Sequence, residues 1–366
     1  MRPIFRKSYN QDLDLFKSKG QLVFYGIFIL LAFFLPNLVG EFFLGEVTLF
    51  LIWGIGGMSL MILVGHTGLA SLGHAAFLAI GAYTTVLLQV KLGLPFISAL
   101  IFGGIASGLA GTIIAIPSTR LHSIYIAIIT LAISVLVDDI IVLAGGLTGG
   151  VSGIYAPTIK ILGVDFDRYS NINRLYWLVL TFVIFLVLFY INILRSPVGR
   201  AFIAVRDSEI SASAMGINVS RVKTLSFTLS CFYAGICGGL MGHFYTVFNN
   251  ETFNLLVSIN LLLMIVVGGL GFIQGAFFGA AILTLLPVLI AFFRDGVSII
   301  FGISFYSLPG LETFVFSTLV ILFILYEPMG LYGRWLKIRL FLELFPLGSR
   351  KFFSRQKSYL KTDRLK

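Results

Sequence analysis

Charge is scarce in this 366-residue chain, and so are the side chains on which most catalysis and metal binding depend. Only 11% of residues are charged, 58% are hydrophobic and the mean hydropathy is +1.00. An aqueous globular surface could not be covered with so little polarity, so the bilayer must be the solvent. There are four histidines and two cysteines. Cys231 and Cys237 lie six residues apart in one apolar run, about 240° apart around a helix, which suits neither a shared metal nor a disulfide framework. They read as packing residues. The chain contains no G-x4-G-K-[ST], no H-E-x-x-H, no G-x-S-x-G and no clustered His, Cys and carboxylate set. That disfavours an integral membrane enzyme, calls for no cofactor and no metal, and means that any ATP used must be bound by another chain.

What is present is a series of long apolar runs. Segments near 22–39, 46–64, 69–89, 96–117, 122–144, 176–194, 224–247, 254–271, 272–293 and 310–326 each have the length and composition of a membrane span. The expected fold class is an all-α polytopic membrane protein with about ten transmembrane helices. The first span follows a polar leader and lacks a small-residue cleavage site, so it reads as a retained helix. Basic residues set the orientation. Twenty of the 26 Lys and Arg lie before the first span (Arg2, Arg6, Lys7, Lys17, Lys19), in a central loop (Arg195, Arg200, Arg206, Arg221, Lys223) or from Arg334 to Lys366. The positive-inside rule then places both termini and that loop in the cytoplasm, with Arg120 on an inside turn and the 145–174 loop outside. The net charge of +10 needs no nucleic acid to explain it. The expected layout is a basic leader (1–20), a membrane body (21–333) with an inner loop (195–223) and an outer loop (145–174), and a basic tail (334–366).

Few ionisable groups fall inside the spans, with His74, Asp138, Asp139 and His243 the main candidates. A proton- or sodium-coupled carrier usually has a chain of them, which argues against secondary transport; Asp138 and Asp139 sit near the outer end of a span, where water is close. Gly104 and Gly108, Gly235 and Gly239, and Gly275 and Gly279 carry the spacing that lets helices approach closely. A weak internal echo is offset by 203 residues. Met61-Ile62-Leu63-Val64-Gly65 precedes a small-residue run ending Gly73-His74-Ala75-Ala76-Phe77, and Met264-Ile265-Val266-Val267-Gly268 precedes one ending Gln274-Gly275-Ala276-Phe277. Glycine-interrupted segments at matching places in two halves mark broken helices around a transport path. Ser71, Gly73, His74, Gly268 and Gly269 are therefore path candidates, with Thr148 in the glycine-rich 145–153 loop.

The central loop is long and polar for a chain that is otherwise nearly all membrane. Ser196 fits an N-cap with Pro197 at the first helical position, and Gly216 fits a left-handed C-cap. Phe202, Val205, Glu209 and Ala212 follow three-to-four spacing, predicting one amphipathic helix or two short ones. Its mixed charges suit a protein partner better than anionic headgroups; Arg200, Arg206, Asp207, Glu209 and Gly216 are the partner-contact candidates.

Ser71-Leu72-Gly73-His74-Ala75-Ala76-Phe77 with Ile80-Gly81-Ala82-Tyr83, then Leu147-Thr148-Gly149-Gly150, Ser196-Pro197-Val198-Gly199-Arg200-Ala201, Arg206-Asp207-Ser208-Glu209, Gly216-Ile217-Asn218 and Val267-Gly268-Gly269-Leu270-Gly271 resemble, in unbroken order, the LivM-type branched-chain amino acid ABC transporter permeases of the LivH/LivM family. The resemblance implies one membrane subunit of a bacterial importer in the inner membrane. Its implied partners are a second homologous permease, two cytoplasmic ABC ATPases and a periplasmic or lipid-anchored substrate-binding protein, with the central loop as the coupling segment. The chain departs from the pattern at Ile210, where the importer loop has alanine, and at Ser152 and Asn260, where acidic residues are usual. A urea or short-chain amide ABC permease is the nearest alternative, and an ATP-independent channel or carrier a more distant one.

Overall fold

The computed structural model describes residues 19–118, 123–161, 163–301, 311–327 and 330–344. The leader before Lys19, Arg120 and the tail beyond Leu344 lie outside the described residues. In lipid every backbone polar group must be satisfied within the segment, and the apolar runs accordingly fold as helices: α1 (Lys19–Leu38), α2 (Glu41–Leu60), α3 (His74–Leu92), α4 (Phe96–Ser118), α5 (Ser123–Leu143), α6 (Ile172–Arg195), α7 (Pro197–Asp207), α8 (Glu209–Ala214), α9 (Val219–Tyr245), α10 (Leu255–Gly268), α11 (Ile273–Phe301), α12 (Leu311–Tyr326) and α13 (Gly330–Leu344). Among the described residues, 8 helices are long and apolar enough to cross a membrane. The first and tenth expected spans correspond to α1 and to the 16-residue α12. The chain is an all-α polytopic membrane protein.

The central helix is α9, which packs against α3, α4 and α2. Small residues allow this. A Cβ on Gly81 would overlap the backbone of Gly235, and one on Gly238 would overlap Leu78 of α3. Cys231 and Cys237 are fully buried in the same seam, and the Cys237 thiol donates to the Ile52 carbonyl at 3.2 Å. Gly275 and Gly279 bring α11 against α10 in the same way, meeting the Gly269 and Met264 carbonyls. Thus all three glycine pairs lie at close helix approaches.

The bundle has two distinct ends. At one, β1 (Ile154–Tyr155) pairs antiparallel with β4 (Val247–Phe248), and β2 (Ile159–Ile161) with β3 (Val164–Phe166). At the other lie α7, α8 and two interruptions of the helical path. The third span starts later than its sequence suggests, at His74 instead of 69. The preceding helix ends in a π-helical turn, Met61–His66, and residues 68–73 run as irregular backbone. Apolarity alone could not place that break, because Leu69 and Ala70 continue the hydrophobic run. Likewise α10 stops at Gly268, where Gly269 (φ 116°) and Gly271 (φ 84°) adopt backbone that side-chain-bearing residues avoid. The expected body–tail boundary after 333 falls inside α13, which packs on α10 and α11.

Candidate functional site

The central loop folds as two short helices, not one. The Ser196 hydroxyl accepts the Gly199 N–H at 3.4 Å with Pro197 in the first turn, and the Ser208 hydroxyl accepts the Ser211 N–H at 3.2 Å, restarting the helix after Asp207. Gly216 (φ 84°) ends α8, with its N–H on the Ser213 carbonyl and the Ile217 N–H on the Ala212 carbonyl, both at 3.0 Å. Phe202, Val205 and Ala212 are buried and hold the pair to the bundle.

Arg206 keeps part of its side chain exposed (37%), as its sequence context suggests, and also reaches inward. Its Nη1 donates to the Gly65 carbonyl at 3.0 Å, and Nε and Nη2 donate to Asp207 Oδ1 at 3.0 and 2.9 Å. Gly65 belongs to the last turn of the π segment, where carbonyls have no helical partner and a cation is favoured. The same guanidinium lies beside Gly271, 3.4 Å from where its Cβ would stand, and the arginine stem lies against Gly68 (φ 74°). The two interruptions also touch each other directly, the Gly271 N–H meeting Met61 Sδ at 3.1 Å. The echoed blocks, 203 residues apart in sequence, therefore converge on one side chain of α7.

Glu209 is also an internal anchor. Its carboxylate pairs at 2.7 Å with Lys223 of α9; the lysine side chain is 2% exposed and the glutamate 49%. So α7 is tied to the interruptions and α8 to the central helix. Arg200 is exposed, and its Nη1 donates to the Arg195 carbonyl. The large apolar side chains that project furthest from the arm are Ile210, 85% exposed, and Met215, 84% exposed. Sequence reasoning missed both. The one available signal was Ile210 itself, a large apolar side chain at the position where the importer loop carries alanine.

The remaining path candidates separate into three places. At the first interruption Ser71 and His74 are buried, His74 Nε2 is 2.8 Å from Ser59 Oγ, and a Cβ on Gly73 would overlap the Thr130 carbonyl of α5. The Ala75 N–H, in the first turn of α3, donates to Ser258 Oγ of α10 at 2.8 Å, a second link between the halves. Gly268 and Gly269 form the second interruption, close against Gly275. Thr148 lies at the opposite end of the bundle. Its hydroxyl donates to the Ile141 carbonyl at 2.6 Å and accepts the Gly150 N–H at 3.2 Å, which fastens the glycine-rich loop.

A helical bundle of this kind, with paired interruptions gripped by a short helical arm, defines a multi-pass membrane permease. The sequence profile described as "Branched-chain amino acid transport system / permease component" matches residues 42–325, and the chain belongs to that family. Among curated relatives it is 32% identical over 272 residues to the high-affinity branched-chain amino acid transport system permease protein LivM of Salmonella typhimurium, covering 69% of this chain and 64% of that protein. It is 30% identical over 240 residues to a probable LivM permease of Methanocaldococcus jannaschii (64% and 67% covered), and 32% identical over 165 residues to Escherichia coli LivH (45% and 48%). No solved structure matches the chain.

Proposed function

We propose that this chain is one permease subunit of an ATP-driven importer for branched-chain amino acids in a bacterial inner membrane. It forms half of the translocation path, pairs with a second permease of similar fold, and receives substrate from a periplasmic or lipid-anchored binding protein. Two cytoplasmic ABC ATPases dock on α7 and α8, with Ile210 and Met215 as the apolar knobs, and both termini lie on that side. The chain makes and breaks no covalent bonds itself. The observation that carries this reading is the Arg206 contact. A rigid movement of α7 would pull on both helix interruptions at once, which is what alternating access about a repeat interface requires.

Labelled leucine uptake tests it, in cells lacking the chain and in the same cells carrying it back, with excess valine or urea as competitor. The reading expects restored uptake that valine blocks. Arg206→Gln should reduce that uptake roughly ten- to a hundredfold while the assembled complex still hydrolyses ATP, since a hydrogen bond to a charged group contributes about 1.5–3 kcal/mol. No leucine uptake, or uptake blocked by urea alone, would transfer the chain to a different substrate class. Uptake indifferent to Arg206 would remove its coupling role.

A further inference from the structure

At the end of the bundle opposite α7 and α8, three buried oxygens on three different segments have no hydrogen-bond partner: Tyr83 Oη on α3, Asp138 Oδ1 on α5 and Asn250 Oδ1 in the short 3-10 turn Asn250–Phe253. The Tyr83 side chain is only 5% exposed. The Asp138 carboxylate is close enough to act electrostatically on the Tyr83 phenol. The 3-10 turn packs against both α3 and α5, and the Tyr83 ring meets Phe248 edge-on at 5.0 Å, with Phe253 next in line at 5.8 Å. Three segments that pack at this end thus each carry one such oxygen, and aromatic rings line the Tyr83 side.

Buried polar groups are normally satisfied, and a carboxylate in a membrane span that faces no cation is costly and marks a ligand route. A carboxylate and an amide oxygen can only accept hydrogen bonds, and a phenol can accept as well. The set lacks a positive donor group, as an ammonium would supply with its N–H bonds. His243 on α9 is engaged elsewhere, by Gln89 at 2.6 Å and by the Gly239 carbonyl at 2.8 Å. Asp139, next to Asp138, is exposed and offers no enclosed counterpart.

We infer that Asp138, Tyr83 and Asn250 form a transient receiving site for the α-ammonium group of the transported amino acid. The site takes the substrate's cationic head as it leaves the binding protein, with the aliphatic side chain against the Phe248 and Phe253 side. This deepens the proposed function and rests on it. It also gives the membrane path its own preference for amino acids over urea, which carries no charge for Asp138 to meet.

The test is leucine transport by the assembled transporter in proteoliposomes, alongside ATP hydrolysis stimulated by the loaded binding protein. Asp138→Asn, which keeps shape and removes charge, should lower uptake roughly tenfold or more, the worth of one charge-assisted contact, while stimulated hydrolysis stays within about twofold. Asp138→Glu should restore part of the uptake, Tyr83→Phe should lower it a few-fold, and Asp139→Asn should leave it unchanged. Normal uptake by Asp138→Asn would overturn the ammonium site while leaving the proposed function standing. Parallel loss of uptake and stimulated hydrolysis would also overturn it, by assigning Asp138 to structure. An unmodified transporter that moves no amino acid would overturn the function on which the site depends.

Discussion

The Glu209–Lys223 pair makes a sharp energetic prediction because its two members are so unequally buried. Lys223 is 2% exposed and Glu209 49%, at a separation of 2.7 Å. At an effective dielectric of about 20 the gross attraction is on the order of 6 kcal/mol, most of which offsets the several kcal/mol lost when the ammonium leaves water. Glu209→Gln strands that ammonium without a counter-charge and should cost about 3 kcal/mol. Lys223→Met leaves a half-exposed carboxylate that water can solvate, with an unbranched apolar side chain in the lysine's place. It should cost only about 1 kcal/mol. The double variant should resemble Lys223→Met alone, giving a coupling energy of about 2–3 kcal/mol in a double-mutant cycle. Unfolding of the purified chain in mixed detergent micelles would measure all three. If Lys223→Met is the more damaging change, or if the two effects add to within about 0.5 kcal/mol, the anchoring of α8 to α9 does not run through this pair.

Two further perturbations probe other parts of the same end. A Gly73→Ala methyl would overlap the Thr130 carbonyl, so α3 and α5 must separate; thermal unfolding should report a loss of about 1–3 kcal/mol, and an unshifted transition would place Gly73 away from that carbonyl. The Glu327 carboxyl is held below the usual carboxylate range, chiefly by its hydrogen bond from Arg334 and further by Lys337. Because its folded-state value is depressed, its contribution is fully present above about pH 4.5 and is lost as pH falls through the lower folded value. The protection of α13 amides against hydrogen exchange, relative to the intrinsic rate at each pH, should therefore fall at strongly acidic pH and fall less in Glu327→Gln; an equal fall in both would refute the link.

Helix positions were largely legible in the sequence because lipid imposes a single demand, about twenty apolar residues with internally paired backbone. The breaks inside those runs were legible only as an echo. Leu69 and Ala70 are as apolar as any helical residue, and the chain departs from helix there because Gly68 and Gly73 permit it and Thr130, Ser59 and Ser258 supply the missing hydrogen-bond partners from other helices. Arg206 and Glu209 are recognisable as important, and both stay partly exposed while also reaching inward. Helical spacing tells which residues share a face, and it cannot tell that a carbonyl 141 positions away or a buried lysine waits on the inner side. The same ambiguity hid Ile210 and Met215, since an apolar residue in an amphipathic stretch is ordinarily assigned to the buried face.

That inward turn of Arg206 changes what the arm can transmit. Without the inward contacts of Arg206 and Glu209, the arm would be held to the bundle by the apolar contacts of Phe202, Val205 and Ala212, which allow sliding. A charged donor fixed to the Gly65 carbonyl and seated beside Gly271 is directional, and the two glycines belong to opposite halves of the echo. One guanidinium thus touches both halves, while the Lys223 pair ties α8 to the central helix. On the proposed function, this makes lysine an inadequate replacement at 206, because its single ammonium cannot hold Asp207 and the Gly65 carbonyl together in the planar geometry that arginine provides. Arg206→Lys should therefore keep ATP hydrolysis and lose most transport, and normal uptake in that variant would show that charge alone, without the fork, is sufficient.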